Sequence, residues 1–280
     1  MNLLEAIKYI ILGLIQGITE VLPISSSGHV EIAKALISLN ADEGLLFLII
    51  VNSGSLITFL AIYYKKVIQM VKDFFLFVFK KNSREVTRNG FLSAIKLLIA
   101  CIPAAIVGFL FKDLINQWLI QYNVLLSGVG LLFTGTILLL VSTKKIRKGF
   151  TQITFVDAFF IGIAQSVALL PGISRSGMTT STGIKRGVGI DSALDFSFMM
   201  YIPISIGSTL IYLKDILQEG IIITGTEYYF YYFLAFLTAV ISTYIAFKLV
   251  FNIFKSGKLK YFGIYCLLIG MISIIIFIAR

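Results

Sequence analysis

Two short stretches of this chain combine residue types that apolar sequence rarely carries together. The first, Gly13 to His29, holds a lone carboxylate, Glu20, and breaks at Pro23 into Ser25, Ser26, Ser27, Gly28 and His29, the only histidine. Between Lys8 and Glu31, Glu20 is the sole Asp, Glu, Lys or Arg. The second stretch runs Pro171-Gly-Ile-Ser-Arg-Ser-Gly-Met-Thr179, where Arg175 is the only charge between Asp157 and Lys185. Ionisable residues in such apolar surroundings mark a reaction site or a path. A hydroxyl becomes a competent nucleophile when a nearby base takes its proton. His29, three residues after Ser26, has an imidazole suited to that work. Glu20 could orient His29, act as the acid or base, or help hold a divalent cation, with Gln16 one turn earlier in support. Each residue alone has a plainer reading: a packed histidine, a helix-capping Glu, a serine turn.

The second stretch offers the complement. Arginine grips phosphate oxygens through a planar fork of donors. Ser174, Ser176, Thr179 and the backbone N–H groups around Gly172 and Gly177 would form a nest that favours an anion at a helix N-terminus. Ser25 and Ser27 would add hydroxyls from the first stretch. One half reads as reactive, the other as a phosphate cradle.

These stretches must be positioned inside a membrane. Hydrophobic residues make up 58% of the 280 and charged residues 14%, against about 45–50% and about 25% in soluble domains. Eight apolar segments lie near 3–22, 45–64, 91–111, 120–142, 153–171, 192–213, 228–250 and 261–279, several reaching the roughly 20 residues that span a bilayer. The expected fold class is all-α, a polytopic integral membrane protein. The net charge of +10 fits basic cytoplasmic loops better than nucleic acid. Cys101 and Cys266 lie in separate apolar runs and indicate neither a disulfide nor a metal site. The N-terminal run lacks a basic start and is a poor match to a cleavable signal peptide.

The Lys/Arg clusters are Lys65 to Arg88, Lys144 to Lys148, Lys185/Arg186 and Lys255 to Lys260. Eight crossings would strand two of them outside the cytoplasm, against the positive-inside rule. If 3–40 and 150–190 each enter and return to the same side, six segments cross. Every cluster is then cytoplasmic, and Lys96, Asp195 and Lys248 fall near cytoplasmic ends, where lysines snorkel. Val67–Phe79 in this scheme is a separate interfacial amphipathic helix.

An internal repeat supports six spans. Adding 149 to the numbering pairs Gly13 with Gly162, Gln16 with Gln165, Ser25 with Ser174, Ser27 with Ser176 and Gly28 with Gly177. A weaker echo at offset 153 pairs Gly54-Ser55 with Gly207-Ser208. The single membrane domain then divides into repeat 1 (about 1–118) and repeat 2 (about 150–255), completed by 120–142 and 261–279. The copies enter from opposite sides as re-entrant hairpins, an inverted-topology arrangement that builds sites near the midplane. Small-residue helix packing is the competing explanation, but packing does not require Glu20, His29 and Arg175.

Taken together, Gln16-x-x-x-Glu20, Leu22-Pro23-x-Ser25-Ser26-Ser27-Gly28-His29 and Pro171-Gly172-x-Ser174-Arg175-Ser176-x-x-Thr179 resemble the undecaprenyl-diphosphate phosphatases of the bacitracin-resistance type. The resemblance covers essentially the whole chain. It implies a bacterial inner-membrane hydrolase that removes the terminal phosphate of undecaprenyl diphosphate, in a site opening to the extracytoplasmic face. It implies membrane-lipid contact, homodimer formation, and a divalent cation, Mg²⁺ or Ca²⁺, with Glu20 the metal-ligand candidate. Many members carry Glu where this chain has Gln16, so a metal site here has one carboxylate and more weight falls on Arg175.

The mechanism expected from sequence has Arg175, Ser174, Ser176 and Thr179 holding the diphosphate while Ser26 attacks with His29 as base. Attack by His29 itself, or by water, stays open. The rival is a prenyl-phosphate transporter using the same cradle. A purely structural scaffold leaves the paired polar tips unexplained.

Overall fold

The computed structural model describes residues 2–37, 44–141, 148–219, 226–255 and 259–279. These form nine helices without strands: α1 (Leu3–Val21), α2 (Ser26–Leu36), α3 (Gly44–Phe79), α4 (Arg84–Leu140), α5 (Phe155–Val167), α6 (Arg175–Lys185), α7 (Ile190–Glu219), α8 (Thr226–Lys255) and α9 (Leu259–Ile278). Helix α4 is two helices joined at Tyr122, whose backbone leaves helical geometry. Among the described residues six stretches are long and apolar enough to cross a membrane: Leu46–Phe79, Lys81–Ile115, Gln121–Leu140, Ile190–Lys214, Glu227–Leu249 and Leu259–Ile278. The chain is an all-α polytopic membrane protein.

One expectation needs correction. Val67–Phe79 is not a separate interfacial helix but the continuation of α3. The pair Lys65-Lys66 looks like a membrane edge, but lysine is a good helix former and the helix runs on. Its end packs on the start of α4, where Phe77 and Phe91 stack with ring centroids 4.1 Å apart. Lys144, Lys145, Arg147 and Lys258, which belong to the basic clusters, lie outside the described residues.

Neither α1–α2 nor α5–α6 is a single long span. Helix α5 has only 13 residues, and α2 and α6 have 11 each. Their starts, Ser26 and Arg175, stand 149 residues apart. The packing follows the same register: α1 lies along α8, the last helix of the second half, and α5 lies along the first part of α4. Glycines allow both close approaches. A Cβ on Gly17 would fall 2.6 Å from the Ala239 carbonyl oxygen on α8, and one on Gly162 would meet the Ala100 carbonyl on α4. Small residues let backbones approach this way in membranes. Helix packing therefore does account for Gly13, Gly17 and Gly162, but not for the tips.

At one end of the bundle the basic residues find partners. Lys66 Nζ sits 2.5 Å from Asp195, Lys148 and Arg186 flank the fully buried Asp157 at 2.7 and 2.9 Å, and Lys96 donates to the Thr151 carbonyl at 3.0 Å. The opposite end carries an aromatic cluster of Tyr9, Phe47, Tyr231 and Tyr232. A fold test follows from the glycines. Gly17→Ala overpacks α1 against α8, at about 1–3 kcal/mol, and is expected to lower the unfolding midpoint in detergent by several degrees. A methyl group on Gly207 would meet nothing within 4 Å, so Gly207→Ala should leave the midpoint unchanged or raise it. Equal midpoints for Gly17→Ala and wild type would contradict this packing.

Candidate active site

The chain between α1 and α2 turns in four residues, Leu22 to Ser25, because Pro23 stops the helix. Ser25 then adopts a left-handed φ of +68°, a strained value for a residue with a side chain, and caps α2 by accepting from Gly28 N–H at 3.3 Å. At the second break Gly172 carries the positive φ, +79°, which glycine adopts without strain. Ser174 caps α6 by accepting from Gly177 N–H at 3.1 Å. Thr134 on α4 fixes this turn, its Oγ1 accepting from Ser174 N–H at 2.9 Å. The same cap, three residues ahead of the same glycine, is built twice.

The tips meet through the residues the repeat pairs. A Cβ on Gly28 would lie 3.0 Å from Gly172 Cα, and one on Gly177 would lie 3.1 Å from the Pro23 carbonyl oxygen. Ser176 Oγ donates to the Leu22 carbonyl at 3.0 Å. Gly28 and Gly177 therefore serve tip-to-tip contact, whereas a Cβ on Gly172 would strike Ser127 on α4, and none of the three lines the cavity beside the tips.

That cavity, of about 290 Å³, is lined by Gln16, Glu20, Ser25, Ser26 and Ser27 from the first tip and Ser174, Arg175 and Ser176 from the second. The Glu20 carboxylate is the hub. Its Oε2 accepts from Ser26 Oγ at 2.5 Å and from Gln16 Nε2 at 2.8 Å, and its Oε1 pairs with Arg175 Nη2. Glu20 is 6% exposed. Charges from two segments 155 residues apart thus neutralise each other in a nearly buried site. The first residues of α2 and α6 both line the cavity, so two helix N-termini, each with a partial positive charge, face one space.

Two expectations from sequence differ from this arrangement. His29 does not reach Ser26 and does not line the cavity. Its Nδ1 lies 2.7 Å from the Ser25 carbonyl and its Nε2 lies 3.0 Å from the Tyr265 hydroxyl on α9, with the two rings stacked. A carbonyl only accepts, so Nδ1 carries a proton, and both ring nitrogens are committed away from Ser26. Thr179 is also turned inward, bonded to the Arg175 carbonyl at 2.8 Å and to Ser197 at 2.6 Å. It braces the start of α6 and is not part of the cradle surface.

Other lining residues were missed. Asn52 on α3 and Tyr201 on α7 flank the cavity, and the Arg175 guanidinium carbon stands 3.7 Å from the Tyr201 ring centroid. The register of 149 pairs Asn52 with Tyr201, so the repeat marks these two positions as well as the tips.

The donor set fits a protein-held divalent cation poorly. No group of three or more His, Cys, Asp or Glu residues forms a metal-binding cluster among the described residues. Both Glu20 oxygens already accept hydrogen bonds, and Arg175 places a positive charge against the same carboxylate.

Comparison with known proteins identifies the family. The family described as bacitracin resistance protein BacA matches residues 9–272. "Undecaprenyl-diphosphatase 2" of Bacillus thuringiensis is 40% identical over 269 residues, covering 96% of this chain and 97% of that protein. "Undecaprenyl-diphosphatase 1" of Bacillus licheniformis is 40% identical over 277 residues, 99% of this chain and 100% of its own length. "Undecaprenyl-diphosphatase" of Oceanobacillus iheyensis is 38% identical over 274 residues, 98% of each chain. With this match along almost its whole length, the chain belongs to the bacitracin resistance protein BacA family.

Proposed function

We propose that this chain is an undecaprenyl-diphosphate phosphatase whose site is shared between the two tips. The observation that carries the mechanism is the position of Ser26, its hydroxyl hydrogen-bonded to a carboxylate that also pairs with Arg175. Arg175, Ser174 and the two helix N-termini hold the diphosphate, while Ser176, its proton given to the Leu22 carbonyl, ties the two tips together. Ser26 Oγ attacks the terminal phosphorus as its proton passes to Glu20, and the bond to the bridging oxygen breaks, releasing undecaprenyl phosphate. Water then attacks the phosphoserine, the Ser26 oxygen recovers a proton from Glu20, and inorganic phosphate leaves. Such phosphoryl transfer relies on positioning and charge neutralisation, which this site supplies. His29, expected from sequence as the base, becomes in this reading a brace for the strained Ser25 turn. The base is Glu20.

In the same proposal the divalent cation travels with the diphosphate, because the protein offers it a single, already engaged carboxylate. The cavity opens extracytoplasmically in a bacterial inner membrane. Its outer residues, Leu48 on α3 and Tyr212 on α7, lie at the ends of those helices away from Lys66 and Asp195, and basic ends are cytoplasmic. The homodimer implied by the resemblance belongs to this reading as well.

Four outcomes are expected of purified protein in detergent, where no gradient can drive transport. Wild type should release phosphate from a prenyl diphosphate, Glu20→Gln should lower kcat by about 10²–10⁴-fold, and His29→Asn should stay within about tenfold of wild type, since its amide can still donate to the Ser25 carbonyl. No release by wild type would favour the transporter, and a greater loss for His29→Asn than for Glu20→Gln would restore His29 as base. Arg175→Lys should lose at least about 100-fold in kcat/KM, because a point charge does not reproduce a bidentate fork. Near-normal turnover by that variant would remove the cradle.

A further inference from the structure

Arg175 sits on a stem with several rotatable bonds, yet bidentate recognition of a phosphate requires its plane to face a fixed direction. The ion pair with Glu20 fixes one edge of the guanidinium but leaves rotation about that contact. The missing constraint is Tyr201. Its ring lies under the guanidinium at 3.7 Å from centroid to carbon, and Tyr201 is 2% exposed. The ring is held in turn by Asn52, whose side-chain oxygen and carbonyl oxygen lie 2.6 and 3.1 Å from the tyrosine hydroxyl. Tyr201 stands on α7 and Asn52 on α3, so one helix from each half of the molecule sets the plane of one guanidinium.

We infer that Tyr201, locked by Asn52, is a positioning residue that sets the plane of Arg175 for diphosphate recognition. The stack supplies attraction between cation and ring face, and it also blocks one side of the guanidinium. The free edge is then the one that borders the cavity, where the diphosphate arrives. A merely structural tyrosine would support the bundle and nothing else. A positioning tyrosine acts through Arg175 and should be silent without it. This rests on the proposed role of Arg175 as the diphosphate holder.

The test is a double-mutant cycle on binding of a non-hydrolysable prenyl methylene-diphosphonate to purified, detergent-solubilised protein, with unfolding midpoints as a control for folding. In the native background Tyr201→Met, similar in volume but without a ring, should weaken binding about tenfold, a loss within the range of a desolvated cation–π contact. Tyr201→Phe, which keeps the ring and loses the Asn52 bond, should weaken it about threefold or less. In an Arg175→Gln background, itself more weakly binding, Tyr201→Met should change affinity less than twofold. Equal losses from Tyr201→Met in both backgrounds, or a loss from Tyr201→Phe as large as that from Tyr201→Met, would overturn the positioning role. If Arg175→Gln bound as tightly as wild type, the reading of Arg175 itself would fail, which is a different result. Should the Arg175→Gln protein bind too weakly to measure, the ranking of Phe above Met in the native background decides the matter.

Discussion

The Glu20–Arg175 ion pair is the contact on which the rest of the molecule depends. Neither charge is tolerable alone in an apolar interior. Removing one partner of a buried pair costs about 3–5 kcal/mol, because the other is left uncompensated. The two residues come from separate helix breaks, so pairing them requires both tips to reach the same point. The glycines at 28 and 177 permit that approach, Gly172 lets its turn pack on Ser127 of α4, and the serine caps at 25 and 174 accept from the Gly28 and Gly177 N–H groups. Backbone that leaves the helix within a membrane survives only where it is enclosed by protein or lines a cavity, and these tips do both. Geometry that neutralises the charges therefore also assembles the site.

The repeat supplies the scaffold but not the chemistry, which is asymmetric. Both tips carry the serine cap and both carry a glutamine one helix earlier. Gln16 donates to Glu20 at 2.8 Å, whereas the amide of its counterpart Gln165 is buried with no hydrogen-bond partner among the described residues. Position 169, the repeat partner of Glu20, is leucine, and the partner of Arg175 is Ser26. One half thus kept the acid and the nucleophile while the other kept the cation. An anion bridging the tips meets a base on one side and a guanidinium on the other.

Much of this was legible in the chain. Apolar runs and basic clusters led to six spans, and the register of 149 placed Arg175 opposite Ser26. The residues that escaped did so for physical reasons. Ser26 and His29 stand one helical turn apart, which suggests a pair, but the imidazole finds a nearer acceptor in the Ser25 carbonyl and a stacking partner in Tyr265, 236 residues away. Nothing local in the sequence signals that partner. Tyr201 lies in an apolar run where an aromatic is indistinguishable from ordinary core until Arg175 is seen above it. Lys65 and Lys66 resemble a boundary because charge marks membrane edges, yet charge does not end a helix.

The most direct measurement is an experimental structure with a non-hydrolysable prenyl methylene-diphosphonate bound. The expected result puts the terminal phosphonate against Arg175 and the starts of both α2 and α6, with Ser26 Oγ in line with the terminal phosphorus and Glu20 within hydrogen-bonding reach of that oxygen. A diphosphonate held by one tip alone, or His29 turned into the cavity to meet Ser26, would contradict the shared site.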